Sequence, residues 1–238
     1  MQIALIGYGK MGKTIEKLAL EAGHQIMLKI DQDNPQDLLN GRLVKADVAI
    51  EFTRPESAFE NLKACIEQGV PVVSGTTGWL NKRPELEALV AQHQGAFFYA
   101  SNFSIGVNIF FKINQVLGRL ANQYPEYQVS MEEIHHTEKL DAPSGTAITL
   151  ANGLIQELDH KSAWVNQAEH EKHQIPILSK RLPKVPGTHR VRIQSDIDKI
   201  EISHEAFSRA GFAKGALRAS EWIVGKKGIF GMNDLLGF

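Results

Sequence analysis

The chain holds a single cysteine, Cys65, among 238 residues. No internal disulfide framework can form, and the composition fits a reducing compartment. Long apolar runs are missing too: none approaches the ~20 residues that cross a bilayer, so no membrane-spanning helix is expected. Charge of one sign is not concentrated anywhere. Lys and Arg number 26 against 27 Asp and Glu, a net charge of −1, which excludes a basic footprint for nucleic acid or an anionic membrane surface. Aromatic residues make up 8%. The tryptophans, Trp79, Trp164 and Trp222, are isolated, as expected of packing residues and not of a base-stacking platform. There is no internal repeat and no low-complexity stretch. Met1-Gln-Ile-Ala-Leu-Ile-Gly7 has no charged leader region or cleavage site and is expected to open a strand, which fits a cytoplasmic protein. What is present is a globular balance, 43% hydrophobic and 22% charged, long enough for one large domain or two modest ones.

The first stretch alternates strand and helix. Residues 2–6 form a short apolar run, Lys13 to Ala22 follow a helical period with Ile15, Leu18 and Ala19 on one face, and Gly23 ends the helix. Residues 25–30 are a second strand. Further strands are expected at 47–52, 71–74 and 96–99, with helices at 56–68 and 84–94 between them. This recurrence predicts a Rossmann-like, doubly wound parallel sheet of α/β class over residues 1–103. After Phe103 the pattern changes. A long helix at 104–120 carries Ile109, Ile113, Val116 and Leu120 on one face. A strand at 127–134, a helix at 147–158 and an antiparallel hairpin at 190–194 and 200–204 predict a second, mixed α/β domain over residues 104–206. One more helix, 216–224, lies in the tail.

Gly7, Gly9 and Gly12 match G-x-G-x-x-G, with Tyr8, Lys10 and Met11 between them, directly after a strand and before a helix. Gly7 permits the tight turn, Gly9 lets the backbone approach a pyrophosphate, and Gly12 lets helix pack on strand. The helix N-terminus would hold the pyrophosphate through its N–H groups and dipole. Asp31 ends the next strand, where an acid accepts hydrogen bonds from the adenine ribose and repels a 2′-phosphate. Residues 1–31 are therefore expected to form a nicotinamide-dinucleotide site. Gln32 follows Asp31, which favours NADH, while Lys10 and Lys13 keep NADPH open.

The most polar stretch runs from Glu133 to Thr146. His135, His136 and Lys139 precede a turn in which Ser144 is placed to cap a helix. An imidazole donates protons near neutral pH, and a lysine neutralises a carboxylate or gives a proton. The N–H groups of Gly145 and Thr146 would add an anion site. The residues alone admit two readings, a pocket for a small carboxylate or a solvated loop with locally bonded histidines. Adjacent histidines without a cysteine or acid at ligand spacing make a poor zinc motif, so no metal is expected. Cys65, near Leu62 and Ile66 on a helix, is expected in the core, which weakens a cysteine-nucleophile dehydrogenase. His93, His170, His173 and His189 are expected to be solvated or locally bonded, and His204 could face either way.

Several strings together resemble the 4-hydroxy-tetrahydrodipicolinate reductase (dihydrodipicolinate reductase) family. They are Gly7-Tyr-Gly-Lys-Met-Gly12, Glu51-Phe-Thr-Arg-Pro-Glu56, Gly75-Thr-Thr-Gly78, Ala100-Ser-Asn-Phe-Ser-Ile-Gly-Val-Asn108, His135-His-Thr-Glu-Lys139 with Asp141-Ala-Pro-Ser-Gly-Thr146, Val185-Pro-Gly-Thr188 and Ser203-His-Glu-Ala-Phe-Ser-Arg209. The resemblance implies reduction of a cyclic dicarboxylate by NAD(P)H with loss of water, giving tetrahydrodipicolinate. It implies catalysis by His135 and Lys139, and substrate contacts at His136, Ser144, Gly145 and Thr146. Cofactor contacts are implied at Phe52, Arg54, Gly75, Thr76, Thr77, Ala100, Ser101, Asn102 and Phe103. It further implies a homotetramer built by the second domain, with residues 207–238 returning to the cofactor domain. Gln32, where the family often has arginine, and a short segment between Asp31 and Asp47 depart from the pattern. Two alternatives share the scaffold: another small-carboxylate dehydrogenase, and a dinucleotide sensor without turnover, which would need no proton donors.

Overall fold

In the computed structural model, residues 1–208 and 210–238 are described; Arg209, the end of one family-like string, lies outside them. The chain divides into two compact units, Met1–Ile105 with Ala210–Phe238, and Gly106–Arg209.

The first unit runs β1 (Gln2–Ile6), α1 (Lys10–Glu21), β2 (Gln25–Ile30), β3 (Val48–Glu51), α2 (Pro55–Glu67), β4 (Val72–Ser74), α3 (Arg83–His93) and β5 (Ala96–Tyr99). Its six-stranded sheet is parallel throughout, in the order β2-β1-β3-β4-β5, closed at the far edge by a strand from the tail, Gly228–Phe230, paired with β5. Successive residues of a strand face opposite sides of a sheet. Accordingly Ala4, Ile6, Ala49, Val72 and Phe97 enter one core with α2 and α3, while Ile3, Leu5, Ile50, Val73 and Phe98 enter another with α1 and the tail helix, Ala210–Ile223. Both faces are covered, which is why these strands read as apolar runs without alternation. The order reverses between β1 and β3, and open α/β sheets bind ligands at such a switch point, beyond the strand C-termini.

The helix after β1 starts at Lys10, three residues before the expected Lys13, because Gly9 serves as N-cap without any side-chain cap. Cys65 is fully buried in the first core.

The second unit holds α4 (Ile105–Ala121) from its second residue on, β6 (Gln128–His135), α5 (Gly145–Ile155), β7 (Ala163–Val165), β8 (Gln174–Arg181), β9 (Gly187–Gln194) and β10 (Lys199–Ala206). The tail helix of the first unit is then α6 (Ala210–Ile223), its edge strand β11 (Gly228–Phe230), and a last turn α7 (Met232–Leu236). The five-stranded sheet of the second unit has the order β10-β9-β6-β8-β7. β6 runs parallel to β8 and antiparallel to β9, and β9–β10 is the expected hairpin. Neither β7 nor β8 was expected; the run in β8 is short and broken by Pro176, which reads as a weak strand.

The four residues of the α4 stripe share a face, and that face points outward. Ile109, Ile113, Val116 and Leu120 are 42%, 46%, 45% and 60% exposed, whereas Val107, Phe110, Asn114, Gly118 and Ala121 are buried. The inward face is the one that lets helices approach closely. A Cβ on Gly118 would lie 3.2 Å from Leu154, and one on Gly153 would lie 3.4 Å from Asn114. Small residues thus outrank apolar ones in choosing the packed face.

Candidate active site

Beyond the C-termini of β1, β2 and β3 a cleft of about 970 Å³ opens, lined by Gly7, Gly9, Asp31, Gln32, Phe52, Thr53 and Arg54 among others. The glycines are required for different reasons. Gly7 has φ +93°, and a Cβ there would lie 2.0 Å from the Phe52 carbonyl oxygen. A Cβ on Gly12 would lie 2.3 Å from the Gly7 oxygen, so Gly12 is the contact between helix and turn. A Cβ on Gly9 would meet nothing within 4 Å, so protein packing does not demand glycine there. The first intrahelical bond of α1 is from Lys13 N–H to Gly9 oxygen, leaving earlier N–H groups of the helix for an anion. Asp31 is exposed at the cleft and its Oδ1 accepts the Gln32 amide at 2.9 Å.

A second pocket of about 290 Å³ shares Phe52 and Thr53 with this cleft and adds Met11, Gly75, Thr76 and Thr77. The Phe52 ring occupies the space a side chain on residue 75 would need, 2.0 Å from such a Cβ, which explains Gly75. Thr76 is buried, and its hydroxyl donates to Glu51 at 2.9 Å while accepting the Thr53 amide at 2.8 Å. Glu51, fully buried, also accepts from Ser74 at 2.6 Å and from Thr53. Burial raises the Glu51 carboxyl, against the opposing hydrogen bonds of Ser74, Thr53 and Thr76. Glu51 therefore ties together the turns after β3 and β4.

Other expected cofactor residues stand apart from these cavities. The Tyr8 hydroxyl is engaged by Glu16 and Lys29. Lys10 is exposed, Ser101 is exposed and Ala100 is buried. Asn102 turns its side chain to the Ser104 amide. Phe103 lies in the core, its ring 5.7 Å from Phe52 and 5.9 Å from Phe98.

In the second unit the strand period assembles a cluster. Val129, Met131, Glu133 and His135 share one face of β6, and His189, Val191 and Ile193 share one face of β9. Glu133 stands directly opposite His189, and His135 stands beside Arg181 of β8. The Nε2 atoms of His135 and His189 are 3.3 Å apart, and His189 Nε2 is 3.0 Å from Ser144 Oγ. Glu133 Oε2 lies 3.4 Å from His135 Nε2 and accepts the Ser144 amide at 3.0 Å. Its Oε1 receives the Arg181 guanidinium at 3.2 and 3.3 Å. Ser144 also caps α5, accepting the Ala147 amide at 3.2 Å.

Burial alone would raise the Glu133 carboxyl, but hydrogen bonds from His135, Ser144 and Ser179 outweigh it and hold it far below the usual range. Burial, and then the charge of His135, push His189 down to about 4. The cluster therefore holds an ionised carboxylate beside a neutral imidazole near neutral pH. Ligand atoms of Glu133, His135 and His189 lie within 4.8 Å of one another. The Glu133 charge is already matched by Arg181, so a divalent ion would bring uncompensated charge into a buried site.

Lys139 donates to both oxygens of Asp141 at 2.8 Å, and that pairing holds the Asp141 carboxyl below its usual range. Arg181 braces the turn by donating to the Lys139 and Asp141 carbonyls. His136 lines a pocket of about 410 Å³ with Thr137, Glu138 and the segment Pro183 to Pro186. Gly145 is exposed with open space around it, and Thr146 is half-buried.

Glu51, Glu133, Arg181 and His189 were not among the expected site residues. Glu133 carried a usable signal, since it sits two residues before His135 on a strand. His189, expected to be solvated or locally bonded, is 5% exposed and bonded across the sheet, because its partners lie 45 and 54 residues away.

Family models described as dihydrodipicolinate reductase, N-terminus and C-terminus, match residues 1–103 and 106–236. A 4-hydroxy-tetrahydrodipicolinate reductase of Christiangramia forsetii is 48% identical over 236 residues, covering 99% of this chain and 98% of its own. One of Methanoregula boonei is 34% identical, covering 96% and 94%. Among solved structures, a dipicolinate-bound dihydrodipicolinate reductase from Paenisporosarcina sp. TG-14 superposes with a TM-score of 0.80 at 23% identity, covering 98% of each chain.

Proposed function

The chain belongs to the dihydrodipicolinate reductase family, NAD(P)H-dependent oxidoreductases that reduce 4-hydroxy-tetrahydrodipicolinate in lysine and diaminopimelate biosynthesis, and we propose how its residues divide that reaction. The substrate and one proton are consumed with NAD(P)H, and tetrahydrodipicolinate, NAD(P)⁺ and water are released. The first unit is the cofactor domain. The glycine turn and the N-terminus of α1 hold the pyrophosphate, and Asp31 takes the adenine ribose. Phe52, Thr53, Gly75 and Thr77 face the nicotinamide half. Bound NAD(P)H supplies the hydride. The acids Asp31 and Asp33 at the cleft repel a 2′-phosphate, so NADH is the preferred cofactor, with Arg54 as the cation that tolerates NADPH.

The second unit is the substrate domain. Lys139 exchanges Asp141 for a substrate carboxylate, and the N-terminus of α5 at Gly145 and Thr146 receives anionic oxygens. A dicarboxylate substrate is in keeping with the dipicolinate that the Paenisporosarcina protein binds. His136 lines the adjoining pocket. His135 gives the proton that hydride addition to a conjugated carbon–nitrogen system calls for. A positioned donor of this kind is worth about 10²–10⁴ in rate. Assembly as a homotetramer through the second unit and a cytoplasmic location complete the proposal.

The observation that carries this reading is the His135 imidazole set between Glu133 and His189, at the strand end that leads into Lys139 and the α5 N-terminus. A sensor without turnover has no use for it. The test is steady-state oxidation of NADH with substrate made in situ by the preceding aldolase-type synthase. His135→Gln and Lys139→Ala are each expected to cut kcat at least about 10²-fold, with NADH affinity unchanged. Full activity in both variants would overturn the site assignment.

A further inference from the structure

We propose that Glu133 is a positioning residue for His135: it takes the Nε2 proton, which makes Nδ1 the nitrogen that exchanges a proton with substrate. The inference rests on the reading of His135 as the acid. Three observations carry it. The polar side-chain contacts of His135 run through Nε2, a hydrogen bond with His189 Nε2 at 3.3 Å and an ion pair with Glu133 Oε2 at 3.4 Å, and Nδ1 is not among the buried unpartnered atoms. Gly187 leaves the Nδ1 edge of the ring uncovered, since a Cβ there would lie 2.9 Å from Cε1 and 3.3 Å from Nδ1. The carboxylate is itself fixed, by Arg181 on one oxygen and the Ser144 amide on the other.

The groups around His135 act in one direction. Glu133 comes from its own strand, His189 from β9 and Arg181 from β8; Lys139 and Asp141 follow in the next turn and pair with each other. Arg181 pairs with the Glu133 carboxylate, and that carboxylate is the one anion paired with the His135 ring among the described residues. His189 stays neutral beside it and does not compete for the charge. When Nδ1 carries the transferable proton, the resulting imidazolium is stabilised through Nε2–H, the logic by which a carboxylate orients a catalytic histidine.

The experiment has two arms. Nitrogen NMR of the wild-type holoenzyme, labelled in histidine, should find neutral His135 protonated at Nε2 and bare at Nδ1. In Glu133→Gln the alkaline limb of kcat/KM, where the acid loses its proton, should move to lower pH by about one unit or more, with KM for NADH unchanged. Glu133→Asp, which keeps the charge, should move the limb back toward wild type. A merely structural role would lower Tm and leave the limb in place. The proposal is overturned by an unmoved limb in folded Glu133→Gln, or by a proton on Nδ1 in the neutral wild-type ring, an arm that holds even if the glutamine variant fails to fold. Loss of activity in His135→Gln with an unmoved limb in Glu133→Gln rejects only this inference; full activity in His135→Gln rejects the site itself.

Discussion

Replacing Gly187 by alanine probes the site with one methyl group. Gly187 begins β9 outside the left-handed region, so alanine can adopt its backbone. The difficulty is steric: the added carbon would stand 2.9 Å from His135 Cε1 and 3.3 Å from Nδ1. Carbon atoms settle near 3.5–4.0 Å, so the ring must withdraw by about 0.6 Å or more. It has little room, because Glu133 and His189 already engage Nε2, the atom next to Cε1, and the residue is only 8% exposed. Overpacking of this kind costs about 1–3 kcal/mol of stability. Displacing a reacting group by close to 1 Å costs about 10²-fold in rate. Gly187→Ala is therefore expected to fold, to bind NADH with wild-type affinity in a fluorescence titration, and to lose about 10²-fold in kcat. Wild-type kcat in the folded variant would show that the ring position does not matter and would refute the argument.

Gly9→Ala should leave Tm unchanged, since nothing lies within 4 Å of the new carbon, yet raise the Kd for NADH, because the carbon occupies the pyrophosphate's approach; unchanged affinity would remove that site. Gly12→Ala, which collides with the Gly7 oxygen, should instead lower Tm, as thermal unfolding will show. Asp31→Ala should raise the ratio of NADPH to NADH use in kcat/KM, and an unaltered ratio would assign the preference to another residue. Stability should fall on acidification between about pH 6.5 and 4: His189 is depressed to about 4 from 6.5, so the unfolded chain binds the extra proton, stability is complete above the upper value, and about 3 kcal/mol is lost as pH drops through the lower one. His189→Phe should flatten that slope in chemical denaturation, and an equal slope would disprove it.

The fold was legible where one residue period decided the outcome. The parallel strands of the first unit appear as apolar runs closed by turns, and their ends fall within a residue or so of those expected, because burial on both faces leaves no competing pattern. The shared face of Ile109, Ile113, Val116 and Leu120 was legible, but its outward direction was not, since Gly118 and Asn114 set the close approach to α5. β8 was invisible because Pro176 interrupts a short run. The same asymmetry governs the site. The glycine turn, His135 and Lys139 are local strings, and each carries its chemistry in its own neighbourhood. Glu133 required the period of a strand, and His189 and Arg181 required the register of β6 with β9 and β8. No local spacing encodes that register. Glu51 was readable only as part of a family-like string; its role emerges from the hydroxyls of Ser74 and Thr76, which a second strand brings to it.

The most direct measurement follows NADH and NADPH oxidation by the wild-type chain with 4-hydroxy-tetrahydrodipicolinate generated in situ, and identifies the product. Stoichiometric formation of tetrahydrodipicolinate and oxidised cofactor, faster with NADH, is the predicted result. Cofactor binding without turnover of either nucleotide would contradict it.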